Sequence, residues 1–245
     1  MVIDGIRLAF GTLTVLPVRP GRVDRAAAAV AMSIAPLVGA LLGGVLAALL
    51  AGLTAAGAPR LVGAGLTVAA GALLTRGLHL DGLADTVDAL GSYRRGPEAL
   101  AVMKRPDIGP FGVAAIVLTL LLQVAALAAL PPVAVVVAWA AGRLAVPVAC
   151  RRGVPAARPD GLGALVAGTV PVPVLLAAAI VVAAAAVPAV PGRMWQGPAA
   201  VLAAVLIAAL VVRHCVRRFG GVTGDVIGAA VELATTGALV LLTLA

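Results

Sequence analysis

The chain is short of everything a soluble enzyme uses to stay dissolved. Only 11% of its 245 residues are charged, and just ten are acidic. With 62% hydrophobic residues and a mean hydropathy of +1.15, a water-soluble domain is excluded, because a domain of this length has no interior large enough to hide that much apolar surface. Aromatics are nearly missing: three Phe, two Trp and one Tyr. Interfacial aromatic belts therefore give little help in placing membrane boundaries. Cys150 and Cys215 stand alone, with no C-x-x-C and no metal-ligand spacing, which leaves two buried free thiols and no redox motif. No G-x-x-x-x-G-K-[ST] loop is present. No internal repeat and no pair of broken helices in two halves is visible, which argues against a secondary transporter. Residues 1–26 carry Asp4, Arg7, Arg19, Arg22, Asp24 and Arg25 without a long apolar core, so no cleavable signal peptide is expected.

What is abundant is oil, in runs close to the roughly 20 residues that cross a bilayer. The runs predict an all-α, polytopic membrane bundle of about seven spans, near 30–57, 61–76, 112–130, 133–150, 172–190, 198–213 and 226–245. With the N-terminus in the cytoplasm, fifteen of the eighteen basic residues fall on inner segments, and Arg60 and Arg193 alone fall outside. That alternation is the positive-inside pattern. It predicts a multi-pass protein of the inner (cytoplasmic) membrane with its polar chemistry facing the cytoplasm. One membrane domain, 1–245, is expected. Its cytoplasmic parts are 1–26, an acidic and basic segment at 77–111, and a glycine-rich loop at 214–225. The charge of +8 fits this membrane rule, and nucleic acid is not an expected partner.

Three of the ten acids, Asp81, Asp85 and Asp88, fall within eight positions. The i, i+4, i+7 spacing places them within an arc of about 60° on a helix. Three carboxylates on one face repel unless a cation lies between them, and oxygen-only ligands favour Mg2+. His79 precedes them as a proton acceptor or a structural hydrogen bonder. Lys104 and Arg105 offer cations suited to phosphate, or to anionic lipid at the membrane rim. A third block, Arg217–Glu232, holds Gly220, Gly221, Thr223 and Gly224, whose backbone amides make a flexible anion-holding loop, followed by Asp225 and Glu232 on one helix face. Glu232 lies about 10 Å along its span and needs protein, water or a cation beside it. Arg143 lies within a span. It either snorkels to the rim or meets an interior acid or a substrate phosphate.

These blocks together resemble the cobalamin synthase family, adenosylcobinamide-GDP ribazoletransferase. The residues that carry the resemblance are Gly77-Leu-His-Leu-Asp-Gly-Leu-Ala-Asp-Thr-Val-Asp88, Met103-Lys104 with Ile108-Gly109 and Phe111-Gly112, and Gly220-Gly221-Val-Thr-Gly-Asp225 with Gly228-Ala229 and Glu232. Phe10-Gly-Thr-Leu-Thr-Val-Leu-Pro17 also looks like that family's opening segment. Ala89 stands where the family usually has glycine, and Lys104-Arg-Pro-Asp-Ile-Gly109 exchanges acid and base relative to the family's middle block.

The resemblance implies an enzyme of nucleotide-loop assembly. It would join adenosylcobinamide-GDP to α-ribazole or its 5′-phosphate at the membrane, release GMP and use magnesium. Metal would fall to Asp81, Asp85 and Asp88, catalysis to these and His79, and substrate to Lys104, Arg105, Arg143, Gly221, Thr223, Asp225 and Glu232. Partners are then the two small-molecule substrates and membrane lipid; self-association into a homo-oligomer is left open. The rival readings are a CDP-alcohol phosphotransferase, which shares Asp81-Gly82 and Ala84 but wants arginine where Asp85 stands, a membrane prenyltransferase, and a transporter with Glu232 and Arg143 in its pathway.

Overall fold

The computed structural model describes residues 1–244. Among these the regular structure is helical, with no strand and two isolated β-bridges, Arg151 to Val170 and Ala156 to Val222. The helices are α1 (Val2–Leu13), α2 (Arg25–Ser33), α3 (Ala35–Ala55), α4 (Arg60–Leu74), α5 (Leu78–Gly91), α6 (Gly96–Val102), α7 (Pro110–Ala129), α8 (Val133–Arg143), α9 (Ala145–Cys150), α10 (Gly161–Val166), α11 (Val172–Ala185), α12 (Gln196–Phe219) and α13 (Gly224–Thr243). Among the described residues six helical segments are long and apolar enough to cross a membrane: α3, α7, α8 with α9, α11 with the 3-10 turn after it, α12 and α13. The short α4 makes a seventh only together with α5, from which it is bent by 88°.

The expected spans are recovered, and their boundaries moved where proline or charge intervened. The run 30–57 is split, because Pro36 lacks an N–H and its ring crowds the carbonyl four residues back, so α2 ends at Ser33 and α3 starts afresh. Pro147 interrupts 133–150 in the same way, at Leu144. Conversely, α12 outruns 198–213. Arg213, Arg217 and Arg218 end the apolar run but not the helix, and basic residues in a last turn suit the helix dipole. In the N-terminal segment, α1 was not foreseen. It buries Gly5, Leu8, Ala9 and Leu13 against the rest of the chain.

The bundle is built around α8–α9. In that segment 89% of the residues are buried, against 17% for Val172–Ala189, where Ile180 and Val181 of α11 point outward as lipid-facing side chains do. Small residues let the central helices touch. A Cβ on Gly43 would stand 2.8 Å from the Val136 Cα, and one on Gly142 would overlap Thr235. α3 and α13 thus pack backbone to backbone on α8.

The bend after α4 positions the site. Thr75 caps the helix, Arg76 and Gly77 take left-handed φ of 56° and 67°, and their N–H groups return to Leu73 and Ala72. This is a Schellman stop, with arginine where glycine is usual. Arg76 is held there because its Nη2 donates to the Gly11 carbonyl at 3.0 Å, while the Val15 N–H donates to Leu74. α5 then runs across the N-terminal ends of α13 and α7.

Candidate active site

Two close approaches fix α5. Gly82 packs on Asp225, where a Cβ would meet the Asp225 Cα at 2.9 Å, and Gly228 lies against the His79 backbone. At the other end, the Asp88 carboxylate accepts the Gly109 N–H at 2.7 Å and the Gly112 N–H at 2.8 Å. A side chain at Gly109 or Gly112 would fall on that carboxylate, so both glycines are required by the contact. Asp88 therefore ties α5 to the start of α7, with both oxygens engaged, beyond the metal role expected of it from spacing alone.

Asp81 is exposed and Asp85 half-buried, and Asp225 comes in from α13. The Asp85 carboxyl is pushed up to about 6, first by burial and then by the negative charges of Asp81, Asp225 and Asp88; Arg158 pulls the other way. Negative charge is thus concentrated here without a matching cation, the condition that a bound divalent ion relieves. Among the described residues no three His, Cys, Asp or Glu side chains come together in a way that could hold a metal ion. The donors fit magnesium all the same, since that ion is ordinarily held by one or two carboxylates, with water and substrate phosphate completing its shell.

His79 is 2% exposed, and its Nδ1 has no hydrogen-bond partner. Burial, then the nearby Arg143 charge, hold the imidazole well below the ordinary histidine range, so it is neutral at pH 7. Lys104 and Arg105 are exposed, and Arg105 lines a cavity with Asp85, Asp88 and Arg94. Thr223 caps α13, accepting the Val226 N–H at 3.2 Å and donating to Asp225 at 3.1 Å.

One expectation is corrected and one open alternative is decided. The Gly220–Gly224 block is a packed junction and not a flexible loop. Gly220 (φ 87°) stops α12, Gly221 lies on the Ala156–Ala157 backbone, and Val222 exchanges backbone hydrogen bonds with Pro155 and Ala157. Arg143 does not snorkel to the rim, because it is 2% exposed and shares a small interior cavity with Glu232, Gln123 and Thr235. Glu232 accepts a 2.9 Å hydrogen bond from Gln123, which also donates to Thr236 at 3.0 Å. Arg143 and Glu232 thus sit inside the bundle, below the acidic face rather than on it.

Sequence reasoning missed Gln123, although a lone amide in an apolar span was the signal for it. It also counted Arg158 only as an inner-face charge. Arg158 donates to the Leu100 carbonyl at 2.8 Å and lines a cavity with His79, Asp81 and Asp225, its Nε buried without a partner.

The sequence profile of the family described as Cobalamin-5-phosphate synthase matches residues 5–243. A protein from Nocardioides sp. named adenosylcobinamide-GDP ribazoletransferase is 45% identical, over 96% of this chain and 96% of its own. Proteins of the same name from Frankia casuarinae and Pseudomonas syringae are 42% and 38% identical, over 96% and 97% of this chain and 93% and 97% of theirs. No solved structure matches the chain.

Proposed function

The chain belongs to the Cobalamin-5-phosphate synthase family, and from that membership we propose that it joins adenosylcobinamide-GDP to α-ribazole or its 5′-phosphate and releases GMP, with magnesium, on the cytoplasmic side of the membrane. In the reaction a ribose hydroxyl oxygen forms a bond to the corrinoid-side phosphorus. The bond from that phosphorus to the bridging oxygen breaks, and its electron pair leaves with GMP. The hydroxyl proton goes to a base in the site.

The observation that carries this reading is the face of uncompensated carboxylates at Asp81, Asp85 and Asp225, open to two cavities. Asp81 and Asp85 would hold magnesium, with Asp225 adding negative charge beside them; when bound, the ion neutralises charge on the phosphoryl oxygens in the transition state. Asp88 holds the face in place. His79 and Asp85 are the groups able to take the hydroxyl proton, and Arg105 and Arg94 face the donor's diphosphate. The CDP-alcohol reading has only Asp81-Gly82 and Ala84 in its favour, and Asp85 stands where it wants arginine.

The test is an assay of purified protein in lipid nanodiscs with adenosylcobinamide-GDP, either ribazole form, and magnesium or a chelator. The expected result is magnesium-dependent release of GMP with one equivalent of a cobalamin product. Well-folded protein that yields neither, with any divalent metal, contradicts the proposal.

A further inference from the structure

The two cavities beside the acidic face differ in chemistry. The first, about 300 Å³, lies between α1, α5, α10 and α13; Leu13, Met32, Leu162 and Ile227 give it apolar walls. The second, about 330 Å³ and more open, has Arg94 and Arg105 beside Asp85 and Asp88. The first also has the His79 and Arg158 side chains in its lining, beside the carboxylates of Asp81, Asp160 and Asp225. A compound that is apolar at one end and hydroxylated at the other suits both the walls and these hydrogen-bonding groups. A bare diphosphate does not, since three carboxylates face the one Arg158 cation.

Size points the same way. About 300 Å³ is the lower limit for small-ligand pockets, enough for one nucleoside and far too small for a corrinoid.

Resting on the proposed reaction, we infer that the first cavity is the acceptor subsite. The uncharged aromatic base of α-ribazole lies against Leu13, Met32 and Leu162, and its ribose hydroxyls meet the His79 and Arg158 side chains at the cavity wall. The donor's diphosphate occupies the second cavity, across Asp85, and the corrinoid stays outside both. The acidic face is then the wall between the two reactants.

Leu162 offers the test, because it stands at the cavity rim, 37% exposed, where a larger side chain is accommodated without repacking the bundle. Equilibrium dialysis of α-ribazole alone, on the full-length protein in nanodiscs with magnesium, is compared for wild type, Leu162→Trp and Leu162→Ala. The expected result is a dissociation constant raised about tenfold by tryptophan and about threefold by alanine. The KM for α-ribazole should rise in step and the KM for adenosylcobinamide-GDP should stay within about twofold, whereas Arg105→Ala should do the reverse. Absence of α-ribazole binding by wild type, binding unchanged by both Leu162 variants, or a Leu162→Trp effect confined to the donor KM overturns the subsite. Binding that is lost in Leu162→Trp although wild type forms no product upholds the subsite and overturns the reaction.

Discussion

Two of the molecule's charge clusters, one around Asp85 and one around Glu232, are built in opposite ways. Where α5 crosses the start of α13, Asp81, Asp85, Asp88 and Asp225 crowd together and open onto two cavities, one lined by Arg158 and the other by Arg94 and Arg105. About 10 Å further along α13, Arg143 and Glu232 carry opposite charges, Gln123 and Thr235 stand beside them, and the space left is small. The first cluster is unbalanced and accessible; the second sets one positive against one negative charge inside the bundle, with no direct ion pair between them and the Arg143 Nε buried without a partner. Unbalanced charge held in place by backbone contacts is poised for a cation and a phosphoryl group, while balanced charge inside a membrane bundle fixes how helices meet. α13 carries both, which is why the reading of Asp225 and Glu232 as one functional face separates into two roles.

The sharpest way to break this comparison is Asp85→Ala. Turnover should fall about a thousandfold or more with the fold retained, measured as GMP release per folded molecule. Next, Glu232→Leu should leave Arg143 buried without its opposite charge and lower stability by about 3 kcal/mol, read as thermal unfolding in nanodiscs. Adding Arg143→Met should recover most of that loss, since removing both charges is far milder than removing one. Smaller again is Gly112→Ala, whose methyl falls on the Asp88 carboxylate and the Ala84 carbonyl. It should cost about 1–3 kcal/mol and loosen α5 from α7.

The smallest effect is in pH. Asp85 ionises near 6 in the fold against an ordinary 3.8, so the metal-free fold binds more protons than the unfolded chain between those values. Metal-free stability should therefore rise as pH falls from 7 through 6 toward 3.8, and Asp85→Asn should remove that dependence. Magnesium affinity should move the other way, declining as pH falls through about 6. A titration of magnesium-dependent unfolding temperature between pH 5 and 8 checks both signs.

Much of this was legible because the bilayer simplifies the code. Apolar run length located the spans, and i, i+4, i+7 spacing found the acidic face. What was not legible depends on contacts distant in sequence. The role of Asp88 rests on amides 21 and 24 residues away, and the partnership of Gly82 with Asp225 spans most of the chain. The turn that swings α5 across the helix ends depends on Arg76 accepting a left-handed backbone, which nothing in its own neighbourhood announces. The breaks at Pro36 and Pro147 were readable from proline chemistry but hidden inside strongly apolar runs.

One paired measurement tests the contrast most directly: GMP release from adenosylcobinamide-GDP and α-ribazole by Asp85→Asn and by the Arg143→Met/Glu232→Leu double variant, each normalised to folded protein. Loss of about a thousandfold in Asp85→Asn, with the double variant within about tenfold of wild type, is the result predicted. Full magnesium-dependent turnover by Asp85→Asn, or abolished turnover in a folded double variant, would contradict the assignment of chemistry to the open cluster and architecture to the closed one.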